Sequence, residues 1–380
     1  MRTATVTIHQ DALANNLQII KNTIKPTTKV LAMVKANAYG HGVDAAVPAL
    51  LAADGFGVAC LSEAMAVEKA LNDKKSSKKP IVLIEGVFSQ DEWQTAILHD
   101  FGCVVHCQAQ LNWAIQNLPN DDSFCRSIWL KYNTGMNRLG FDDDGVIAAA
   151  KTLHQAGYRL ILTTHFSCAD DKDHPLNAVQ IDKFNTALAS IRRFAPDAKG
   201  SLCNSAGIFH FKEHHHDWVR AGIALYGSKP IANQSAKALG LKPAMTLSAQ
   251  VMAIHTLPAG SQVGYGALWT TTKSQQIAVV SIGYGDGYPR VLDNASVAIT
   301  DKQGKVHQCP IIGRVAMDMF MVDIDGLQID VGATVVLWGQ QPSIDEIADC
   351  ANTIGYELMC RLTTRPNRQI KPLIDIRTVF

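Results

Sequence analysis

Lys35, Lys131, His165 and Arg220 are side chains that close apolar runs, where a charge can be held or a proton moved. Lys35 closes the apolar run KVLAMVK and is followed at once by ANAYGHG. A cation there can be a charge snorkelling at the wet end of a strand, or an amine placed where a ligand arrives. A lysine must lose a proton to act as a nucleophile, and cationic neighbours and apolar walls favour that state. Gly40 and Gly42 would let the backbone turn sharply beside it. Other apolar runs end in the same fashion: SIWLKYN in Lys131, with Arg138 just beyond, RLILTTHF in His165, GSLCNS in Asn204 and Ser205, and DWVRAGI in Arg220, Gly222 and Ile223. Tyr265 stands between glycines in VGYGALW, where a tyrosine is commonly only a packed loop aromatic.

The elements that carry these residues are legible as a rhythm. From residue 28 to 225, eight short apolar runs (KVLAMVK, GFGVAC, PIVLIE, CVVHC, SIWLKYN, RLILTTHF, GSLCNS and DWVRAGI) alternate with amphipathic stretches. Continuous apolar character is what parallel strands buried on both faces require. Eight strand-then-helix units predict a (β/α)8 barrel of the TIM type, with a doubly wound sheet as the alternative. Past NQSAKALGLKP, turns at LPAG, DKQG, DIDG and DVGA punctuate short alternating strands, predicting a β-rich C-terminal domain. The expected division is residues 9–238 for the barrel and 239–380 for the second domain, joined by the N-terminal strand 1–8. In a barrel of this kind, chemistry gathers at the C-terminal ends of the strands, so the run-ending residues would share one mouth.

Nine collinear segments carry a family resemblance: VKANAYGHG, LKYNTGMNRLG, THFSCAD, CNSAG, VRAGIALYG, VGYG, IGYGDGYPR, GRVAMDM and GYE. Together they resemble alanine racemase, a pyridoxal 5′-phosphate enzyme of the barrel-plus-β-domain type. The resemblance implies a two-base interconversion of L-alanine and D-alanine, supplying D-alanine for peptidoglycan, in a cytoplasmic homodimer with shared active sites. Lys35 would hold the cofactor as a Schiff base and serve as one base. Tyr39, Ser205, Gly222, Ile223 and Tyr356 would bind its phosphate, with His165 and Asn204 beside it. Arg220 would face the pyridine nitrogen; an arginine keeps its proton, so the ring nitrogen stays unprotonated and the ring is a weaker electron sink. Taken alone, Arg220 also reads as a salt-bridged arginine at a barrel end. Tyr265 of the neighbouring subunit would be the second base, and a phenol, with an ordinary pKa of about 10, needs cationic help that His165 and Arg220 would provide.

The resemblance further implies that Arg138 and Met317 grip the substrate carboxylate, that Asp318 positions the second base, and that Lys131 becomes a carbamate orienting Arg138. Tyr284, Asp170, Arg290 and Arg314 would line the substrate corridor. Ala316 stands where the family often has cysteine, which leaves no thiol role there. A decarboxylase on the same plan would need an acid, not Arg220, against the ring nitrogen.

Bulk properties narrow the partners. A net charge of +1 over 380 residues offers no general attraction to nucleic acid or to anionic membranes, and the basic run NDKKSSKKP reads as a solvated loop. The N-terminus shows no apolar leader. Nine cysteines without CxxC pairs suit buried reduced thiols. EHHH, residues 213–216, cannot turn every side chain toward one ion, so no metal is expected. GYGDG lacks the following helix of a dinucleotide loop.

Overall fold

The computed structural model describes residues 3–74 and 76–373. Strand β1 (Thr5–His9) leads into a helix, Gln10–Thr23, which buries Leu13, Leu17 and Ile20 at the spacing of one helical face. Eight parallel strands follow: β2 (Lys29–Met33), β3 (Gly55–Val58), β4 (Ile81–Leu83), β5 (Gly102–Val105), β6 (Ser127–Lys131), β7 (Arg159–Thr163), β8 (Lys199–Ser201) and β9 (Trp218–Ala221). They pair in the order β8-β7-β6-β5-β4-β3-β2-β9. The two ends of the sheet meet where Asp217 N–H donates to the Gly200 carbonyl at 3.1 Å and Arg220 N–H to that of Cys203 at 2.9 Å. The sheet is therefore a closed (β/α)8 barrel.

The eight apolar runs are these eight strands, and their lack of alternation has a direct cause. Every residue of β3, β5 and β9 is buried, since helices cover the outer face while side chains fill the interior. Helices Leu61–Asp73, Gln90–Leu98, Asp143–Gln155 and Pro175–Arg192 form part of the outer layer. Ser89 and Asp142 start two of them by accepting the N–H groups of Glu92 and Gly145. Two run boundaries differ from the sequence reading. Strand β2 stops at Met33, so Lys35 belongs to the turn beyond, and β5 stops at Val105, leaving Cys107 outside the strand. Cys103 is buried, Cys107 half-buried, and all nine cysteines are free thiols.

The remainder is β-rich: β10 (Met245–Leu257), β11 (Gln262–Val263), β12 (Trp269–Thr270), β13 (Gln275–Val280), β14 (Ser296–Thr300), β15 (Val306–Ile312), β16 (Phe320–Asp323), β17 (Thr334–Trp338) and β18 (Asn367–Lys371). Its main sheet runs β13-β16-β15-β14-β17-β10-β1-β18, and β13 also pairs with β10, closing a ring. Register shifts at Leu247/Ser248 and Val251/Ala253 break the pairing of β10 into segments, which meet β1, β17 and then β13 in turn. Strand β1 lies between β10 and β18. Helix Gly355–Arg361 returns to the barrel mouth, where a side chain at Gly40 would run into the Met359 carbonyl. Among the described residues no helix is long and apolar enough to cross a membrane.

Candidate active site

Lys35 leaves β2 through a turn of the unusual hand. Ala36, Asn37, Ala38 and Tyr39 have φ values of 51° to 54°, a left-handed turn made without glycine. Such a backbone costs roughly 1–2 kcal/mol per residue, so it persists only where its surroundings over-determine it. Glu63 supplies one clamp: its carboxylate accepts Ala36 N–H at 2.7 Å and Ala59 N–H at 2.8 Å. Asn37 accepts Val43 N–H on its side chain at 3.0 Å and Gly42 N–H on its carbonyl at 2.9 Å. His41 Nδ1 donates to the carbonyls of Tyr39 and Ala38 at 3.0 and 3.1 Å. Burial pulls the His41 imidazole down to about 4, so it is neutral at neutral pH. Its ring lies 4.6 Å from that of Tyr226, which stacks on Tyr39 at 4.7 Å and donates its hydroxyl to the Met33 carbonyl at 2.8 Å.

The strain gives a direct prediction. Ala36 is exposed and its bond to Glu63 comes from the backbone, so Ala36→Gly removes only the methyl group that the left-handed region disfavours. The variant should be more stable by about 1 kcal/mol, a rise of about 1 °C in Tm for a chain of this size. A lower Tm in differential scanning calorimetry would contradict the account of the turn.

The C-terminal ends of the barrel strands surround a cavity of about 620 Å³. Lys35, Tyr39, Lys131, Arg138, His165, Asn204, Ser205, Arg220, Gly222, Ile223 and Tyr356 all line it. Its charge is one-sided: Lys35, Lys131, Arg138 and Arg220 face a single lining carboxylate, Glu85. A cavity so built suits anions.

Arg220 is buried and heavily bonded. One terminal nitrogen donates to Thr163 Oγ1 at 3.1 Å and to the carbonyl and hydroxyl of Ser201, both at 2.8 Å. The other donates to the carbonyls of Thr164 and Leu202 and, at 3.4 Å, to Nδ1 of His165. The Nε–H meets no acceptor among the described residues, and Arg220 borders the cavity. Burial draws the guanidinium down to about 10, which leaves it charged at neutral pH. His165 is pushed well below the ordinary histidine range, first by burial and then by Arg220, Lys131, Arg138 and Lys35. The imidazole is therefore neutral, with Nδ1 accepting; the positive charge in this chain of bonds belongs to Arg220, and His165 can only relay it. Lys131 is likewise held well below its ordinary range by burial and by Arg220, Arg138 and Lys35.

At the side of the cavity formed by Tyr39, Ser205 and Gly222, the last residue cannot be anything larger. A Cβ on Gly222 would stand 2.8 Å from the Tyr39 hydroxyl. Ser205 Oγ accepts the N–H groups of Gly222 at 2.8 Å and Ala224 at 3.3 Å, and Asn204 caps the short helix Ser205–His210 by accepting Gly207 N–H at 3.0 Å. Hydroxyls and backbone N–H groups thus meet within a small space. These are the groups that hold a phosphate monoester.

The other residues singled out in the sequence do not line this cavity. Tyr265 sits on the loop of the β11–β12 hairpin and is 72 % exposed. Arg314 stands beside that loop, near Gly266. Tyr284 N–H donates to the Ala316 carbonyl at 3.0 Å and Gly285 N–H to that of Met317 at 2.9 Å, locking the YGDG and AMD segments together. Asp318 pairs with Arg365, which also reaches Asp286 at 3.4 Å. Arg290 is exposed, and exposed Asp170 is near enough to Tyr356 to help raise that phenol's pKa, behind burial. Sequence reasoning missed Glu63, Thr163 and Ser201, which hold the turn and the arginine, and the cavity-lining Glu85, Trp129 and Cys360. In EHHH, His215 Nε2 bonds the Ile208 carbonyl at 2.8 Å, and His216 packs on Phe184.

Comparison with known proteins agrees with the motifs. Residues 8–230 match the model of the alanine racemase N-terminal domain and residues 244–370 that of the alanine racemase C-terminal domain. The chain is 50% identical over 378 residues to an alanine racemase of Psychrobacter sp. (strain PRwf-1), covering 97% of this chain and all of that one. It superposes on the structure of alanine racemase from Acinetobacter baumannii with a TM-score of 0.90 at 43% identity, covering 98% of this chain and 100% of the other. A structure of alanine racemase from Bartonella henselae, described with covalently bound pyridoxal phosphate, matches with a TM-score of 0.83 at 28% identity over 98% of this chain and 100% of that one.

Proposed function

Because this chain belongs to the alanine racemase family, we propose that it interconverts L-alanine and D-alanine with pyridoxal 5′-phosphate, in a dimer whose subunits complete each other's sites. The D-alanine would serve peptidoglycan. The observation that carries the reading is the cavity itself: a lysine, a phosphate-sized cradle and a buried arginine with a spare Nε–H all face one space. Those residues fit the cofactor. Bound there, it would supply an aldehyde that joins the substrate's amine and a ring that withdraws electrons from the Cα–H bond.

The remaining work falls to the chain. Ser205, Gly222, Ile223, Tyr39 and Tyr356 would bind the phosphate, with Asn204 holding the helix start. Arg220 would donate Nε–H to the pyridine nitrogen and keep it unprotonated. Lys35 would anchor the cofactor and then take or return the α-proton on one face. The opposite face needs a second base, since a single base tends to return the proton to the side it left. Tyr265, Met317 and Tyr284 are large side chains exposed in the single chain. Covered by a second copy, they would bring the Tyr265 hydroxyl, with Asp318 beside it, into the partner's cavity. His165, neutral and bonded to Arg220, would steady the phenolate that forms.

Arg138 and the Met317 segment would hold the substrate carboxylate, with Tyr284, Asp170, Arg290 and Arg314 along the corridor. Burial and the neighbouring Arg220, Arg138 and Lys35 draw Lys131 well below the ordinary lysine range, toward the amine that adds carbon dioxide, which supports a carbamate orienting Arg138; a native intact mass showing a free amine would remove that step. The test of the whole is optical. Purified protein given pyridoxal 5′-phosphate should drive either enantiomer of alanine to the racemate, read by circular dichroism. Retention of optical purity from both directions would reject the proposal.

A further inference from the structure

The barrel has a second cavity, of about 740 Å³, at its opposite end, where the strands begin. The interior of such barrels is ordinarily packed with side chains, and the N-terminal face ordinarily serves stability alone. Here Trp218 and Trp129 form part of the wall, their rings 5.5 Å apart and edge to face. Lys29, Arg159 and Lys199, at the starts of β2, β7 and β8, stand around the opening with one carboxylate, Asp197. Arg159 is engaged with backbone carbonyls of the 121–123 loop. Lys29 and Lys199 have no acidic partner within ion-pair distance among the described residues. The Lys29 ammonium lies 5.4 Å from the centre of the Trp218 ring. An apolar, aromatic wall beneath unpaired cations matches a flat ring bearing a carboxylate, with the ring against the indoles and the charge at the lysines.

Trp129 also lines the catalytic cavity. One indole thus separates the two spaces, and it lies on the same face of β6 as Lys131, two residues on. We propose that this cavity is a second ligand site, for small aromatic carboxylates, and that its occupancy is felt in the catalytic cavity through Trp129.

The probe is 4-(trifluoromethyl)benzoate, followed by fluorine NMR with the protein loaded with pyridoxal 5′-phosphate. Saturable broadening is expected to persist in excess L-alanine, its midpoint moving only by the severalfold factor that reciprocal coupling requires, and to be unaltered by Arg138→Ala. Lys29→Ala with Lys199→Ala, both at exposed positions, should weaken it about tenfold. The neutral 4-(trifluoromethyl)benzamide should bind about tenfold more weakly than the benzoate. At saturation the KM for alanine should shift severalfold in the parent enzyme and not in the double variant. Absence of saturable binding, complete displacement by alanine, or indifference to the two lysines would overturn the site. Binding with an unchanged KM would overturn the coupling. None of these outcomes bears on racemisation itself, which is tested separately above.

Discussion

Lys35→Ala should leave a folded protein that racemises alanine at least about 10,000-fold more slowly and shows no visible absorbance from bound cofactor. On the proposed roles of Lys35, the substitution would remove both the anchor of the cofactor and one of the two proton-transfer groups, so the effects would compound. The result is informative because the cavity holds a second candidate. Lys131 also lines it, and burial and three neighbouring cations draw its pKa well below the ordinary lysine range. Geometry favours Lys35 all the same. The left-handed turn that begins at Lys35 ends at Tyr39, whose hydroxyl abuts Gly222 in the proposed phosphate cradle, so one segment would set both ends of the cofactor. Lys131 sits on β6, with no such link to the cradle. A visible band that survives Lys35→Ala and vanishes in Lys131→Ala would transfer the anchor to Lys131. Partial rescue of Lys35→Ala by added methylamine would locate the missing function in the amine.

The barrel was legible because its signal is repeated and simple: strands covered on both faces must be apolar throughout, and turns must separate them. What escaped was local and conformational. Nothing in the letters Ala-Asn-Ala-Tyr announces a left-handed turn, since alanine and tyrosine are ordinary residues of right-handed helices and only asparagine tolerates the opposite hand. The turn depends on a partner 27 residues further along the chain, Glu63 on helix Leu61–Asp73, whose carboxylate captures Ala36 N–H. Thr163 and Ser201 escaped for a related reason. Each reads as one more small residue ending a strand, and only closure of the barrel brings their oxygens around Arg220. The ring of strands in the β-rich part was hidden by β10, whose register shifts interrupt the alternation on which a sequence reading depends. Tyr265 and its neighbours were found through resemblance to a family; composition and spacing gave them no distinction from any exposed loop.

Tyr265→Phe should slow removal of the α-proton from one enantiomer of alanine by about 1,000-fold while sparing isotope exchange at the other, because each face of Cα would have its own base. The hydroxyl belongs to a side chain 72 % exposed in the single chain, so its removal costs little stability, and cofactor absorbance should be intact. Equal loss of exchange on both enantiomers would contradict the assignment. A mixed dimer separates the two possible origins of the group. If Tyr265 reaches across the interface, a dimer of one Lys35→Ala subunit and one Tyr265→Phe subunit contains one site with both lysine and tyrosine and one site with neither. Random pairing of the two inactive variants should then restore about a quarter of the parent activity, since half of the dimers are mixed and each of those has one working site. If Tyr265 served its own subunit, every site would lack one base and mixing would restore nothing. The outcome therefore reads both the role of the tyrosine and the dimer proposed for this chain.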